Sequence, residues 1–248
     1  MDHVALITGA GRGIGAAIAE YFGAHGIAVF VAARTSADCE GVAAKINEAG
    51  GRARALALDV TGVDSVQDAI DSAQDFGQID WLINNAGIAL SAPMLSSEEL
   101  YQKHLDVNFH GPRRMVEALV PAMIEHGSGR VVNIASSAGM YGYAYVAAYV
   151  ASKHAVLGYT RSAALELAKT GVTFNAVCPH YVDSPMTDQS IANIVEKTGR
   201  SVEETQQFFA KQNPGGRLVQ PEEIAKAVYS LCVGEANGEV IELDGSEQ

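Results

Sequence analysis

Residues 4–8, Val-Ala-Leu-Ile-Thr, form a short apolar run that passes straight into Gly-Ala-Gly-Arg-Gly-Ile-Gly at 9–15 and then into a helical pattern reaching Ala24. A strand that empties into glycines and reopens as a helix narrows the choice of fold sharply. The glycines permit a tight turn and close backbone approach, and the helix start presents N–H groups that no earlier turn satisfies. Such a turn suits a diphosphate held at a helix N-terminus. Gly9, Gly13 and Gly15 carry the spacing G-x-x-x-G-x-G, with Arg12 and Ile14 interleaved. Gly11 is an extra glycine that blurs the register, and a glycine-rich turn with no ligand is the competing reading.

The same alternation continues along the chain. Strand-like runs are expected at 27–33, 53–60, 79–85, 130–136, 172–178 and 239–243, and helices at about 37–49, 63–75, much of 98–126, 147–168 and 221–232. A continuously apolar run such as IAVFVAA at 27–33 is what a strand buried on both faces requires. Alternating strands and helices imply an α/β, doubly wound parallel sheet with helices on both faces and ligands at the carboxyl ends of its strands. No linker divides the 248 residues, so one domain over 1–248 is expected. The connection 184–213 has no strand of its own and lies at the ligand end, where a long connection is expected to be a substrate-binding lid.

Composition removes several function classes. Hydrophobic residues make up 48% of the chain, enough for a core, yet no uncharged apolar run approaches a membrane span. The start, MDHVALITG, has neither the basic beginning nor the long apolar region of a secretory signal, so a cytoplasmic protein is expected. A formal charge of −12 argues against nucleic acid or anionic membrane as the main partner. Cys39, Cys178 and Cys232 are odd in number and far apart, and no Cys or His spacing resembles a metal site.

The stretch 147–168 sets Tyr149 four residues ahead of Lys153. Such residues are neighbours on a helix surface, so a phenol and an ammonium can share one small site. A free tyrosine, with a pKa of about 10, is a poor acid or base at neutral pH, and a nearby fixed cation favours the phenolate. The pair is therefore expected to lower the phenol pKa, although taken alone it also fits chance spacing on an amphipathic helix.

The glycine loop, Asn84-Asn85-Ala86-Gly87, Asn108, Ser136 and Tyr149-x-x-x-Lys153 occur in one order with one set of separations. That combination resembles the short-chain dehydrogenase/reductase family, and over Asn133–Pro179 it is most similar to bacterial ketoreductases of polyketide and 3-oxoacyl thioesters. The resemblance covers nearly the whole chain. It implies a Rossmann-type sheet of seven strands, a nicotinamide cofactor and hydride transfer to or from a carbonyl carbon. It implies that Tyr149 is the general acid/base and that Lys153 lowers its pKa and bonds the nicotinamide ribose. Ser136 would hold the substrate oxygen, with Ser137 a weaker candidate, and Asn108 would position the lysine through a water. Cofactor contacts are implied for Gly9, Arg12, Gly13, Ile14, Gly15, Arg34 and Thr35, and at adenine for Asp59 and Val60. The turn Asn85, Ala86 and Gly87 and the segment of Pro179, Val182 and Ser184 complete that set with Tyr149 and Lys153. A homo-oligomer, by analogy a tetramer, is implied as well.

Two positions depart from the family pattern. His180 stands where glycine usually follows Pro179, and its imidazole could touch substrate or nicotinamide or point to solvent. The ending Asp244-Gly245-Ser246 lacks the usual second glycine.

Cofactor choice is legible at the second strand. Folds that bind NAD hold the adenosine ribose with an acidic residue at its end. Here the strand ends Val31-Ala32-Ala33-Arg34, so an alanine occupies that position and a guanidinium follows, with Arg12 in the glycine loop. Asp38 and Glu40 come too late in the chain to replace the acid. Arginines suit a phosphate dianion, so NADP(H) is expected, with NAD(H) as the alternative. The substrate is expected to be a small-molecule ketone or secondary alcohol. Tyr141, Tyr143 and Tyr145, with Met186, Phe208 and Phe209 in the long connection, suit a bulky, aromatic or thioester-linked carbonyl compound unless they only pack the lid. The alternatives are an NAD-dependent secondary-alcohol or 3-hydroxyacyl dehydrogenase, and a non-catalytic nucleotide sensor or scaffold on the same fold.

Overall fold

The computed structural model describes residues 3–73 and 75–246; Met1 and Asp2 in the N-terminal stretch, Gln74 in the expected third helix, and Glu247 and Gln248 at the end lie outside the described residues. Its strands are β1 (Val4–Thr8), β2 (Ala28–Ala33), β3 (Ala53–Ala57), β4 (Trp81–Asn84), β5 (Gly129–Ile134), β6 (Val172–Pro179) and β7 (Val240–Leu243). The helices are α1 (Gly13–Ala24), α2 (Ser36–Glu48), α3 (Val63–Ala73), α4 (Glu98–Leu105), α5 (Gly111–His126), α6 (Ala147–Glu166), α7 (Pro185–Thr198), α8 (Val202–Gln212) and α9 (Pro221–Val233).

All strands belong to one sheet in the order β3-β2-β1-β4-β5-β6-β7, every neighbouring pair parallel. Successive strand residues point to opposite faces, and both faces are covered. Ala5, Ile7, Val29 and Val31 face a core completed by Ile18 and Phe22 of α1, Ile46 of α2 and Ile224 of α9. Val4, Leu6 and Phe30 face a second core completed by Val66 of α3, Met115 and Leu119 of α5 and Ala163 of α6. Two buried faces explain why the strands read as unbroken apolar runs. The chain leaves β1 for β2 on one side and reaches β4 on the other, and this reversal opens a crevice at the carboxyl ends of β1 and β4.

Two segments differ in detail from expectation. The span 98–126 is not one uninterrupted helix, because a π-turn, Asp106–His110, joins α4 to α5. Pro112 has no N–H to give the Asn108 carbonyl, and the Gly111 N–H bonds the Asp106 carbonyl instead, one residue longer than the α pattern. The span 184–213 is helical, made of α7 and α8, with Ile191, Phe209 and Leu218 forming a small core of their own. Its signals lay in the sequence: Ser184-Pro185 is an N-cap followed by a first-turn proline, and Ser201 with Glu204 makes a reciprocal capping box.

Candidate active site

The Thr8 hydroxyl at the end of β1 accepts hydrogen bonds from the Asn85 and Ala86 N–H groups, each at 3.0 Å. Asn85 Nδ2 in turn donates to the carbonyls of Thr8 (2.9 Å) and Gly9 (3.1 Å), tying the glycine loop to the turn after β4. Gly9 has φ of 65°, and a Cβ there would lie 2.9 Å from Ala86 Cα; one on Gly15 would lie 2.6 Å from Asn85 Nδ2. Side chains at these positions would lift the loop off the sheet.

Ala10 N donates to Ala32 O at 3.0 Å, which brings the loop beside the end of β2 and thus toward Arg34 and Thr35, the N-cap of α2. Arg12 and Arg34 are exposed, and among the described residues neither has a carboxylate within salt-bridge distance. The first turn of α1, with Ile14 in it, contains no acidic residue, and Arg12 at its N-cap supplies no side-chain cap. The positive helix end is therefore left for another anion. The start of α7 meets the same place, since a Cβ on Gly13 would lie 3.2 Å from Pro185 Cδ, next to Ser184. Two helix N-termini and two arginines fit a dinucleotide diphosphate and one further phosphate. Asp38 lies in the first turn of α2, as expected, and its Cβ packs beside this loop, 2.7 Å from where a Cβ on Gly11 would stand.

Farther along the crevice, burial would raise the Asp59 carboxyl, but hydrogen bonds from Thr61 N (2.9 Å) and Oγ1 (2.7 Å) and the charges of Arg34 and Arg114 hold it below its usual value. Val60 is buried against Gly111. Pro179 ends β6, and Val182 is buried and bridged to Val219.

Ser136, Tyr149 and Lys153 come together at the ends of β5 and α6. The Ser136 hydroxyl hydrogen-bonds the phenol of Tyr149, which is half-buried in the first turn of α6. Ser137 is engaged elsewhere, its hydroxyl accepting from Tyr143 at 3.0 Å. Lys153 is buried, and its Nζ donates to the Ile134 carbonyl at 2.7 Å. Asn108 Nδ2 donates to Ile88 O and to Ser152 Oγ, both at 2.9 Å, and its Oδ1 accepts from Ile88 N at 2.8 Å. Ser152 Oγ donates to Tyr149 O at 2.7 Å, closing a polar chain from the π-turn to α6. A Cβ on Gly87 would sit 3.3 Å from Asn108 Oδ1 and 3.7 Å from Lys153 Nζ, so glycine lets both polar groups approach this turn.

The expected lowering of the Tyr149 pKa is not what the geometry produces. Burial pushes the phenol up to about 12; the Ser136 hydrogen bond opposes this, while Cys178, Tyr181 and Tyr143 add to it. Burial also pulls Lys153 down to about 8. Its ammonium lies over the Tyr149 ring, 5.8 Å from the centre, and is bonded to Ile134. Desolvation of the phenolate is therefore the largest influence on this group, and at neutral pH the phenol keeps its proton.

Sequence reasoning also left neighbours of this site unread. His104 is fully buried, its ring 6.4 Å edge-on from that of Tyr149. It stands four residues before Asn108, a helical offset that places both on one side of the α4–π segment. Tyr181 packs on Phe209 at 4.6 Å and on Tyr143 at 6.5 Å, an aromatic wall that joins the lid helices to the body. The His180 side chain is 6% exposed, and Nε2 meets Glu242 Oε1 at 2.7 Å; Glu242 also accepts from Tyr141 at 3.3 Å. It points neither to open solvent nor to Tyr149 but at β7.

Among the described residues no helix is long and apolar enough to cross a membrane, and no cluster of His, Cys, Asp or Glu could hold a metal ion. The short chain dehydrogenase family model matches residues 3–194. The short-chain reductase protein NovJ of Streptomyces niveus is 39% identical over 98% of this chain and 93% of its own. Galactitol 2-dehydrogenase of Agrobacterium fabrum is 40% identical over 95% of this chain and 92% of its own. A crystal structure of actinorhodin polyketide ketoreductase with NADPH superposes with a TM-score of 0.93 at 35% identity, covering 98% of this chain and 96% of that one. A family match over most of the chain, relatives aligned nearly end to end, and the Ser136–Tyr149–Lys153 geometry agree: this chain belongs to the short-chain dehydrogenases and is an oxidoreductase.

Proposed function

We propose that the chain uses NADPH to reduce a bulky, mainly apolar ketone to the secondary alcohol, working as one domain over 1–248 within a homotetramer. The observation that carries this reading is the placement of the Tyr149 phenol, hydrogen-bonded by Ser136 with the Lys153 ammonium against its ring, where it can give a proton to a carbonyl oxygen.

The glycine loop, the N-termini of α1 and α7, Arg12 and Arg34 would hold the dinucleotide, and its nicotinamide when bound supplies a hydride to the carbonyl carbon. Ser136 Oγ and Tyr149 Oη donate hydrogen bonds to the carbonyl oxygen. As negative charge develops there, the Tyr149 proton passes to it, and the Lys153 charge stabilises the phenolate left behind. Ser152 and Asn108 position the helix turn that carries the pair. The relative solved with NADPH supports this cofactor, as do two exposed arginines that have no carboxylate within salt-bridge distance among the described residues. Asp38 on the glycine loop favours a second reading, in which NADH also serves.

The test is loss of reduced-nicotinamide absorbance with a panel of ketones, using NADPH and NADH in parallel. NADPH-dependent turnover favouring large aryl ketones is expected. No oxidation with any ketone would overturn the reading, and light scattering that reports a monomer would overturn the tetramer.

A further inference from the structure

Between β4 and α4, residues 85–97 form neither helix nor strand. Backbone N–H groups in such a stretch have no ladder to satisfy them and must find other partners. Three alternate ones do so in turn. Ile88 N donates to Asn108 Oδ1 at 2.8 Å, Leu90 N to His104 Nε2 at 3.1 Å and Ala92 N to the Tyr145 carbonyl at 2.8 Å. The inner end of this strap is Gly87, where a Cβ would lie 3.7 Å from Lys153 Nζ, so the strap borders the reacting pair.

His104 is an unexpected residue for the place it fills. It is fully buried, and an imidazole out of water is costly unless its nitrogens have partners. Both have them, and the partners fix the tautomer. The Leu100 carbonyl, 2.8 Å from Nδ1, can only accept, so Nδ1 carries the proton. The Leu90 N–H can only donate, so Nε2 is the bare nitrogen. A ring engaged at both nitrogens has none free to exchange a proton with substrate. The same ring stands edge-to-face with that of Tyr149, centroids 6.4 Å and planes 67° apart. An apolar side chain would fill the volume without the desolvation cost. What histidine adds is an acceptor for the Leu90 N–H at a point that also backs the tyrosine ring. One turn later Asn108 holds Ile88 from the π-turn, so α4 and the π-turn grip the strap at two points.

We infer that His104 is a positioning residue for Tyr149: its imidazole fixes the 87–90 strap through the Leu90 N–H and braces the phenol ring, without touching the reacting atoms. The inference rests on the ketone-reductase reading above and adds the residue that keeps its proton donor in place. Hydride and proton transfer depend on that placement, since misplacement of a catalytic group by about 1 Å can cost on the order of 100-fold in rate.

The experiment compares the native protein with His104→Gln and His104→Leu, using NADPH and the best ketone of the panel. A glutamine amide oxygen at this position can accept from Leu90 N, whereas leucine fills similar space with no acceptor. In His104→Leu, kcat should fall at least ~10-fold while the KM for ketone and the calorimetric NADPH affinity stay within about threefold of native. His104→Gln should recover kcat to within about threefold of native, because the acceptor is restored. Hydrogen exchange at Ile88 N, which His104 does not itself bond, should be faster in the leucine variant and native-like in the glutamine variant. Native kcat in His104→Leu overturns the inference, as does an equal loss in both variants or a loss confined to KM. Should the leucine variant not fold, His104→Asn takes its place; its amide can reach Leu100 O but not Leu90 N, and the same slow turnover is expected. If the native protein reduces no ketone, the reductase reading fails and exchange at Ile88 N decides alone. Faster exchange in the leucine variant, restored by glutamine, then sustains the hold on the strap, and equal exchange in all three proteins ends it.

Discussion

Lys153 Nζ donates to the Ile134 carbonyl at 2.7 Å while lying 5.8 Å from the centre of the Tyr149 ring, so the ammonium is anchored to the end of β5 independently of the phenol. A charge held by the backbone does not have to reorganise when the phenol loses its proton, which is the condition for electrostatic catalysis. The same burial makes the lysine a load on folding.

That load predicts a pH-dependent stability difference. Lys153 titrates at about 8 when folded against 10.5 for a free side chain. Between those values the unfolded chain binds more protons, so native stability rises with pH across the window, and below it the full penalty is present. Lys153→Met removes a penalty on the order of 3 kcal/mol at neutral pH, less what is lost by leaving Ile134 O unpaired. The variant should melt a few degrees above native at neutral pH, with the gap shrinking toward pH ~10 and activity lost throughout. A gap that stays constant with pH, or a lower melting temperature at neutral pH, would contradict this assignment.

Tyr149→Phe removes the proton donor and leaves the ring in place. Ketone reduction should fall at least ~100-fold, the usual scale for loss of a general acid. NADPH binding, followed by calorimetry, should stay within a few-fold of native. Near-normal turnover would refute the role given to the phenol.

Cofactor preference should respond in opposite directions to two neighbouring substitutions. Arg34→Ala removes one charge-assisted contact and should lower the NADPH-over-NADH ratio of kcat/KM about tenfold. Asp38→Asn removes a negative charge from a residue packed beside the glycine loop and should raise that ratio. The comparison needs both cofactors in all three proteins; a ratio unmoved by Arg34→Ala would sink the phosphate-site argument.

Asn213 predicts how firmly the lid helices are docked. It is buried, accepts from Tyr181 N at 2.9 Å, and donates to the carbonyls of Tyr181 (2.8 Å) and Arg217 (2.7 Å). Asn213→Ala removes all three bonds; Tyr181 O keeps Val219 N, but Tyr181 N loses its acceptor, at roughly 1–3 kcal/mol if it stays dry. Hydrogen exchange in α7 and α8 should accelerate in the variant, and bound NADPH with ketone should slow it in the native protein. Equal protection in the two proteins would show that the lid is held by other contacts.

The order of strands and helices, the glycine loop and the Tyr149–Lys153 spacing were legible in the sequence because each is local. A strand buried on both faces must be continuously apolar, and a helix must repeat its faces every three to four residues. Offsets along a single chain therefore carry this information. The helices of the 184–213 segment were legible in principle through their caps, but cap residues are a weaker signal than a long apolar period.

What the sequence could not state is which distant side chains share a space. His180 and Glu242 meet across 62 residues, and Asp38 of α2 packs its Cβ beside Gly11 of the glycine loop. The Tyr149 phenol is the clearest case. The sequence by itself determined that a cation stands one helical turn from the phenol, whereas only the tertiary structure decided that burial prevails and the proton stays on. The sign of a pKa shift depends on the balance between desolvation and nearby charge, and desolvation is set by every segment packed around the group.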